Sequence, residues 1–229
     1  MARHLLCGVV AVLLCAAPGI AAGLSPTGMD VKLPVLTIAM TADCAASEAT
    51  MATARAEATR IWSRGDVGLR WVAASRLPFT APKSDWLLVQ CNSEPFRALP
   101  SEERLRPLAT IRFVDAQPMN VITLNPQNAN VLLDQDGREG RLQNHQFPAM
   151  RRLRLGRMLG RALAHEIGHF LSESGAHTEY GLMRPTHSVA AFTGVSLHPF
   201  SISAELRKVL SARRTSHDLS DSPSEFQQQ

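Results

Sequence analysis

Aromatic side chains are scarce in this sequence: they make up 5% of residues, with a single tyrosine, Tyr180. A core built from it must therefore be mostly aliphatic. The 45% hydrophobic content is ordinary for a globular chain and excludes wholesale disorder. A strong charge of one sign is missing too. The formal net charge is +4, a mild excess that serves solubility and gives no argument for a nucleic-acid partner. No internal repeat is visible. Beyond the N-terminal segment no apolar run is long enough to be a transmembrane candidate.

That first segment reads as an export signal. Arg3 and His4 form a short polar start, and Leu5 to Ala17 is an almost unbroken apolar run. Pro18 and Gly19 break it, and Ile20-Ala21-Ala22-Gly23 supplies small residues for cleavage. The run is shorter than the roughly 20 apolar residues that span a bilayer. An uncleaved anchor is the alternative; lipidation is disfavoured because Leu14 before Cys15 is bulky. The expected organisation is a signal peptide over 1–22, a catalytic domain over 31–213 and a disordered tail over 214–229. The expected location is secreted or periplasmic, without stable membrane insertion after cleavage.

Cysteine is also scarce, at four, and the signal would remove Cys7 and Cys15. Cys44 and Cys91 remain. In an oxidising compartment two cysteines suggest one disulfide, the alternative being two buried free thiols.

Leu33 to Met40 reads as a buried strand, and Ala45 to Arg64 as a helix with Asp43 or Ser47 as cap and Gly65 as stop. Gly68 to Val72 returns as a strand, which suggests a parallel crossover. Pro78 and Pro82 mark a loop, and Trp86 to Cys91 reads as a third strand. Thr110 to Val114 and Asn120 to Leu124, separated by Asp115-Ala116-Gln117-Pro118, suggest a hairpin. A short helix fits within Asn125 to Asp136, and Gly137 to Phe147 reads as loop. Pro148 to Leu171 is the strongest helix. Leu155, Leu159, Ala162, Leu163, Ile167 and Phe170 share one of its faces, and Arg154, Arg157 and Arg161 share the opposite, expectedly solvated one. A last helix is expected near Ser203 to Arg213.

Within the strong helix stands His165-Glu166-Ile167-Gly168-His169. The four-residue spacing puts two imidazoles one turn apart on one side, where both can reach one ion. Glu166 points off that axis yet stays near enough to act on a water at the ion. Neutral imidazoles suit zinc. His177 follows eight residues after His169, just past Gly175, which can end the helix in a left-handed conformation and fold the chain back. Three protein ligands leave a position open, as catalytic zinc requires, whereas a structural site is closed by four.

The stretch His165 to Pro185, HEIGHFLSESGAHTEYGLMRP, resembles the metzincin-type zinc peptidases over about twenty residues, and the rest of the chain resembles them in element order. The resemblance implies an α+β zincin-like domain. It would have a twisted mixed sheet, a long N-terminal helix, an active-site helix, a Met-turn and a C-terminal helix. It implies Zn2+ held by His165, His169 and His177, with Glu166 as the catalytic base and Met183 as the turn methionine beneath the metal. The family's usual motif has its glycine three and its histidine six residues after the second ligand; here Gly175 and His177 stand at six and eight. Glu179 and Glu205 are the alternative third ligands after His177, with Glu173 and His187 also eligible. Tyr180 precedes Met183, where the tyrosine of some members follows the methionine; it is a candidate oxyanion donor or a packing residue.

The expected activity is hydrolysis of a protein or peptide substrate by a zinc-bound water that Glu166 activates. A zinc-holding binding or stress protein with little turnover is the alternative, and the sequence does not reveal oligomeric state. His187 could line the pocket or sit on the surface; His145, His198 and His217 have no partner at ligand spacing. Asp115, Asp134, Asp136 and Glu139 match no calcium loop.

Overall fold

A computed structural model describes residues 35–77, 85–92, 107–138 and 147–220, with side chains described except at 137–138 and 213–220. The expected signal segment, most of the Pro78–Pro82 loop, residues 139–146 and the chain from 221 onward lie outside the described residues. The elements run β1 (Val35–Met40), α1 (Glu48–Ser63), β2 (Gly68–Ala73), β3 (Trp86–Cys91), β4 (Ala109–Val114), β5 (Gln117–Leu124), α2 (Pro126–Arg138), α3 (Pro148–Ser172), α4 (Val189–Thr193) and α5 (Ala204–Ser220).

The protein is mixed α+β. Its five strands form one sheet in the order β2-β1-β3-β5-β4. The β1–β2, β1–β3 and β3–β5 pairs are parallel, and β4 closes one edge antiparallel to β5. Residues two apart in a strand share a face. Leu36 and Ile38, Leu87 and Val89, and Ile122 and Leu124 are all buried, and the register sets Ile38 beside Leu87 and Val89 beside Ile122. This aliphatic face shares its core with α1 and α3. On the other face, Arg70 donates to Thr37 at 2.7 Å and Gln90 to Thr123 at 3.1 Å.

Local chemistry explains the element ends. The Ser47 hydroxyl caps α1 by accepting from the Thr50 amide, so Ser47, not Asp43, is the cap. The hairpin turn is only Asp115-Ala116, both at positive φ (51° and 63°), and Gln117 and Pro118 belong to β5. Two left-handed residues match the twist of the flanking strands, so the turn needs no further length. Pro118 is tolerated beside a register irregularity, where a missing amide costs the ladder least. The last helix runs to Ser220, so 214–220 are helical and not tail. No glycine or proline interrupts 204–220.

The helices α1 and α3 approach closely. A Cβ on Gly160 would lie 2.5 Å from the Ala54 carbonyl oxygen, and one on Gly156 would lie 2.8 Å from that of Thr50. The Trp62 indole, fully buried, crosses this contact and donates to the Ala164 carbonyl at 3.2 Å. Arg161 corrects the helical-wheel expectation: it is wholly buried, not solvated. Its Nε donates to Glu57 Oε1 at 2.7 Å, Nη1 donates to the Ala191 carbonyl, and the guanidinium lies 4.9 Å from the Phe200 ring centroid. The chain after the site folds over this side of α3, so the helix is covered on both faces. Burial pulls the Arg161 pKa down, and the Glu57 carboxylate opposes that pull.

Cys44 and Cys91 form a disulfide with a Cα–Cα distance of 5.0 Å, joining the lead-in to α1 to the end of β3 across 47 residues. Loop-closure entropy gives such a bridge a stabilisation of about 4 kcal/mol. Replacing both cysteines with alanine should lower the urea midpoint accordingly. Glu57→Gln should cost about 3–5 kcal/mol, because it strands a buried cation. Arg60→Gln should cost under about 1 kcal/mol, because Arg60 meets Glu57 from a half-exposed position. Equal losses for Glu57→Gln and Arg60→Gln in the same titration would contradict the buried-pair assignment.

Candidate metal centre

The last turns of α3 carry His165, Glu166 and His169, and the following loop carries His177. The helix ends at Glu173, whose φ of 50° is left-handed; Gly175 does not take that role. The non-glycine turn is held by the Glu173 amide to the Phe170 carbonyl (3.3 Å) and by the Ser174 amide to the His169 carbonyl (3.2 Å). In return, the Ser174 carbonyl lies 2.7 Å from His169 Nδ1. The chain then runs back past His177. The three imidazole rings come together, with centroids 4.7 Å (His165–His169), 4.9 Å (His169–His177) and 5.3 Å (His165–His177) apart.

One ring nitrogen from each histidine lies within 4.8 Å of the others, so the trio could hold a metal ion. The tautomers strengthen this. His165 Nδ1 lies 2.8 Å from the Leu182 carbonyl, as His169 Nδ1 does from that of Ser174. A carbonyl oxygen only accepts, so both Nδ1 atoms carry the proton. Burial pushes the His165 pKa down to about 4 and lowers that of His169, so both rings are neutral at pH 7. Their Nε2 atoms are then bare acceptors, and they face each other at 3.1 Å. Two facing lone pairs repel unless a cation lies between them.

Glu166 sits beside this cluster, and its Oε2 accepts from the Ile111 amide of β4 at 2.9 Å. Burial raises its pKa to about 8, with the Ile111 bond pulling the other way. A cleft of about 640 Å³ opens here, bounded by β4, by α3 and by the chain after Met183.

The chain below the rings is tightly tied. The Leu182 amide donates to the Ser201 carbonyl at 2.8 Å while the Leu182 carbonyl holds His165. Met183 is buried, and a Cβ on Gly168 would lie 2.3 Å from its Sδ, so the thioether packs directly on the helix under the site.

The other candidates fall elsewhere. Tyr180 is 73% exposed, its hydroxyl donates to Glu179, and it does not line the cleft, so the oxyanion role loses its geometric basis. Glu173, Glu179 and Glu205 are exposed and do not join the histidine group; nor does His187, which lines the cleft with its ring tilted against Phe200 at 4.3 Å. Asp115 lies in the hairpin turn, and Asp134 pairs with Arg151 at 2.6 Å, tying α2 to α3. The orienting groups missed by sequence reasoning, the Leu182 and Ser174 carbonyls and the Ile111 amide, are all backbone and leave no residue signature.

Two glycines near the site should respond oppositely to alanine. At Gly181 φ is 76° and a Cβ would lie 2.4 Å from the Ser201 carbonyl oxygen; at Gly175 it would meet only Phe113, at 3.9 Å. Gly181→Ala should cost at least about 1–3 kcal/mol and weaken metal retention, while Gly175→Ala should stay within about 0.5 kcal/mol of wild type. Thermal denaturation with metal analysis checks both.

No protein-family model matches this chain, and no curated protein matches it.

Proposed function

We propose that the chain is an exported, metzincin-like zinc metallopeptidase. The observation that carries this reading is the pair of Nε2 lone pairs aimed at one point between His165 and His169, with His177 closing the third side. Three imidazoles with no cysteine in the group suit zinc in a three-plus-one arrangement. The disulfide accords with an oxidising compartment, and no helix among the described residues is long and apolar enough to cross a membrane.

Zinc bound there would supply Lewis acidity toward a substrate carbonyl and lower the pKa of a water beside it. The protein's own groups do the rest. Nδ1–H bonds to Leu182 and Ser174 lock two rings in the ligating tautomer. Glu166 takes a proton from the attacking water and passes it to the leaving amine. Its carboxyl, held by the Ile111 amide beside the histidines, suits both transfers by position. The edge strand β4, on the opposite wall, offers an extended peptide its outward main-chain groups other than the Ile111 amide, which Glu166 occupies. A protein that merely holds zinc has no use for a buried acid beside the ligands, and Glu166 favours the enzyme.

His177→Ala should lose most bound zinc and nearly all peptide hydrolysis. Glu166→Gln should keep about one zinc per chain and lose turnover by a factor of at least roughly 100. Metal analysis beside a peptide-cleavage assay decides. Full zinc retention in His177→Ala would overturn the ligand set. Undiminished cleavage by Glu166→Gln would remove the base, and zinc binding without cleavage by wild type would leave a zinc-holding protein.

The metal-free protein should also show a pH signature. Glu166 has a folded pKa of about 8 against an ordinary carboxyl value of 4.5, so the fold prefers it protonated. That preference costs nothing in acid, where both states are protonated, and lowers stability as pH rises from 4.5 toward about 8. In chelator, wild type should therefore weaken relative to Glu166→Gln across this window. Parallel urea-midpoint profiles for the two proteins would contradict it.

A further inference from the structure

The cleft wall opposite β4 carries cations that the hydrolytic chemistry does not use. Arg184 follows Met183 directly, and its amide donates to the Gly181 carbonyl at 3.2 Å. Its backbone is thus fixed by the same turn that holds the Leu182 carbonyl against His165. Its side chain is exposed and lines the cleft, and among the described residues no carboxylate pairs with it. Arg161 lies on the same wall. Its partner Glu57 also binds Arg60 through Oε2 at 2.6 Å, so one carboxylate serves two guanidiniums and a positive charge is left over. Arg161, Arg184 and His187 line one arm of the cleft; burial lowers the His187 pKa, and Arg184 and Arg161 lower it further. Apolar Val189, Phe192 and Phe200 line that arm and weaken dielectric screening. Among the described residues, the sole acid lining the cleft is Glu166.

We propose that Arg184 anchors a substrate carboxylate, so that this cleft selects peptides with an acidic side chain or a free C-terminus beside the scissile bond. The inference rests on the peptidase reading. Arg184 suits the task because its planar fork engages a carboxylate through two hydrogen bonds. Arg161, buried and already engaged by Glu57 and Ala191, contributes field and no direct contact. A basic side chain at the same position would meet repulsion from both arginines.

The test uses the full chain loaded with zinc and a set of alanine–leucine octapeptides. Glu, Gln or Lys is scanned through each position, and every peptide is made as C-terminal acid and as amide. Binding to Glu166→Gln is read by fluorescence anisotropy, and kcat/KM is read with wild type. The expected result is a Glu-over-Gln preference of roughly three- to tenfold at one position, or an acid-over-amide preference of that size, falling as salt rises. The first identifies a side-chain carboxylate, the second a C-terminal one. Arg184→Gln should bring the ratio close to one, and Arg184→Lys should restore part of it. Cleavage indifferent to charge, or a preference that survives Arg184→Gln, overturns the anchor and leaves the peptidase reading standing. Absence of both binding and cleavage across the set, with zinc in place, overturns both.

Discussion

Two backbone carbonyls hold the site together. Those of Leu182 and Ser174 fix the protons on His165 and His169, and this alone turns two imidazoles from ambiguous donors into a pair of acceptors aimed at one point. Each carbonyl is positioned by a different constraint. Ser174 is set by the left-handed Glu173, and the His169–Ser174 bonds run in both directions, ring to carbonyl and amide to carbonyl. Leu182 is set by its amide bond to Ser201 and by the tight turn at Gly181. The helix, the returning loop and the segment before α5 therefore register on one another through the histidine cluster.

The supporting frame is the contact between α1 and α3. Close approach at Gly156 and Gly160, the Trp62 indole bond and the Arg161–Glu57 pair all lie on it. This contact presses the ligand helix onto the aliphatic face of the sheet and leaves its last turns facing the cleft beside β4. Its cost is a buried cation. That cost is offset by good geometry, by a second use of Glu57 with Arg60 and by the Phe200 face.

Much of this was readable in the residues. Short aliphatic runs marked β1, β2 and β3, and the pair Cys44 and Cys91 announced a bridge once an oxidising compartment was inferred. The i, i+4 histidines on a helical pattern showed two ring nitrogens converging. His177 was expected to return to the helix histidines, and it does, but by another hinge. Glycine is the usual left-handed residue, yet hydrogen bonds to the helix's last carbonyls hold Glu173 there instead. Arg161 was misplaced for a related reason. A helical wheel assumes one buried face, whereas the 189–200 segment covers α3 from the other side. Tyr180 failed because proximity in sequence to Met183 does not carry a side chain into the cleft.

The bond between Glu166 and Ile111 has a consequence for solubility. An open edge strand offers its outward amides and carbonyls to any passing strand, and long unguarded edges template aggregation. β4 is such an edge. One of its amides, that of Ile111, is already taken by a carboxylate from the helix behind the cleft. A neighbouring copy laid along β4 would find this rung occupied by a side chain that cannot donate while ionised. The carboxylate beside the histidines thus guards one rung of the strand against its own kind.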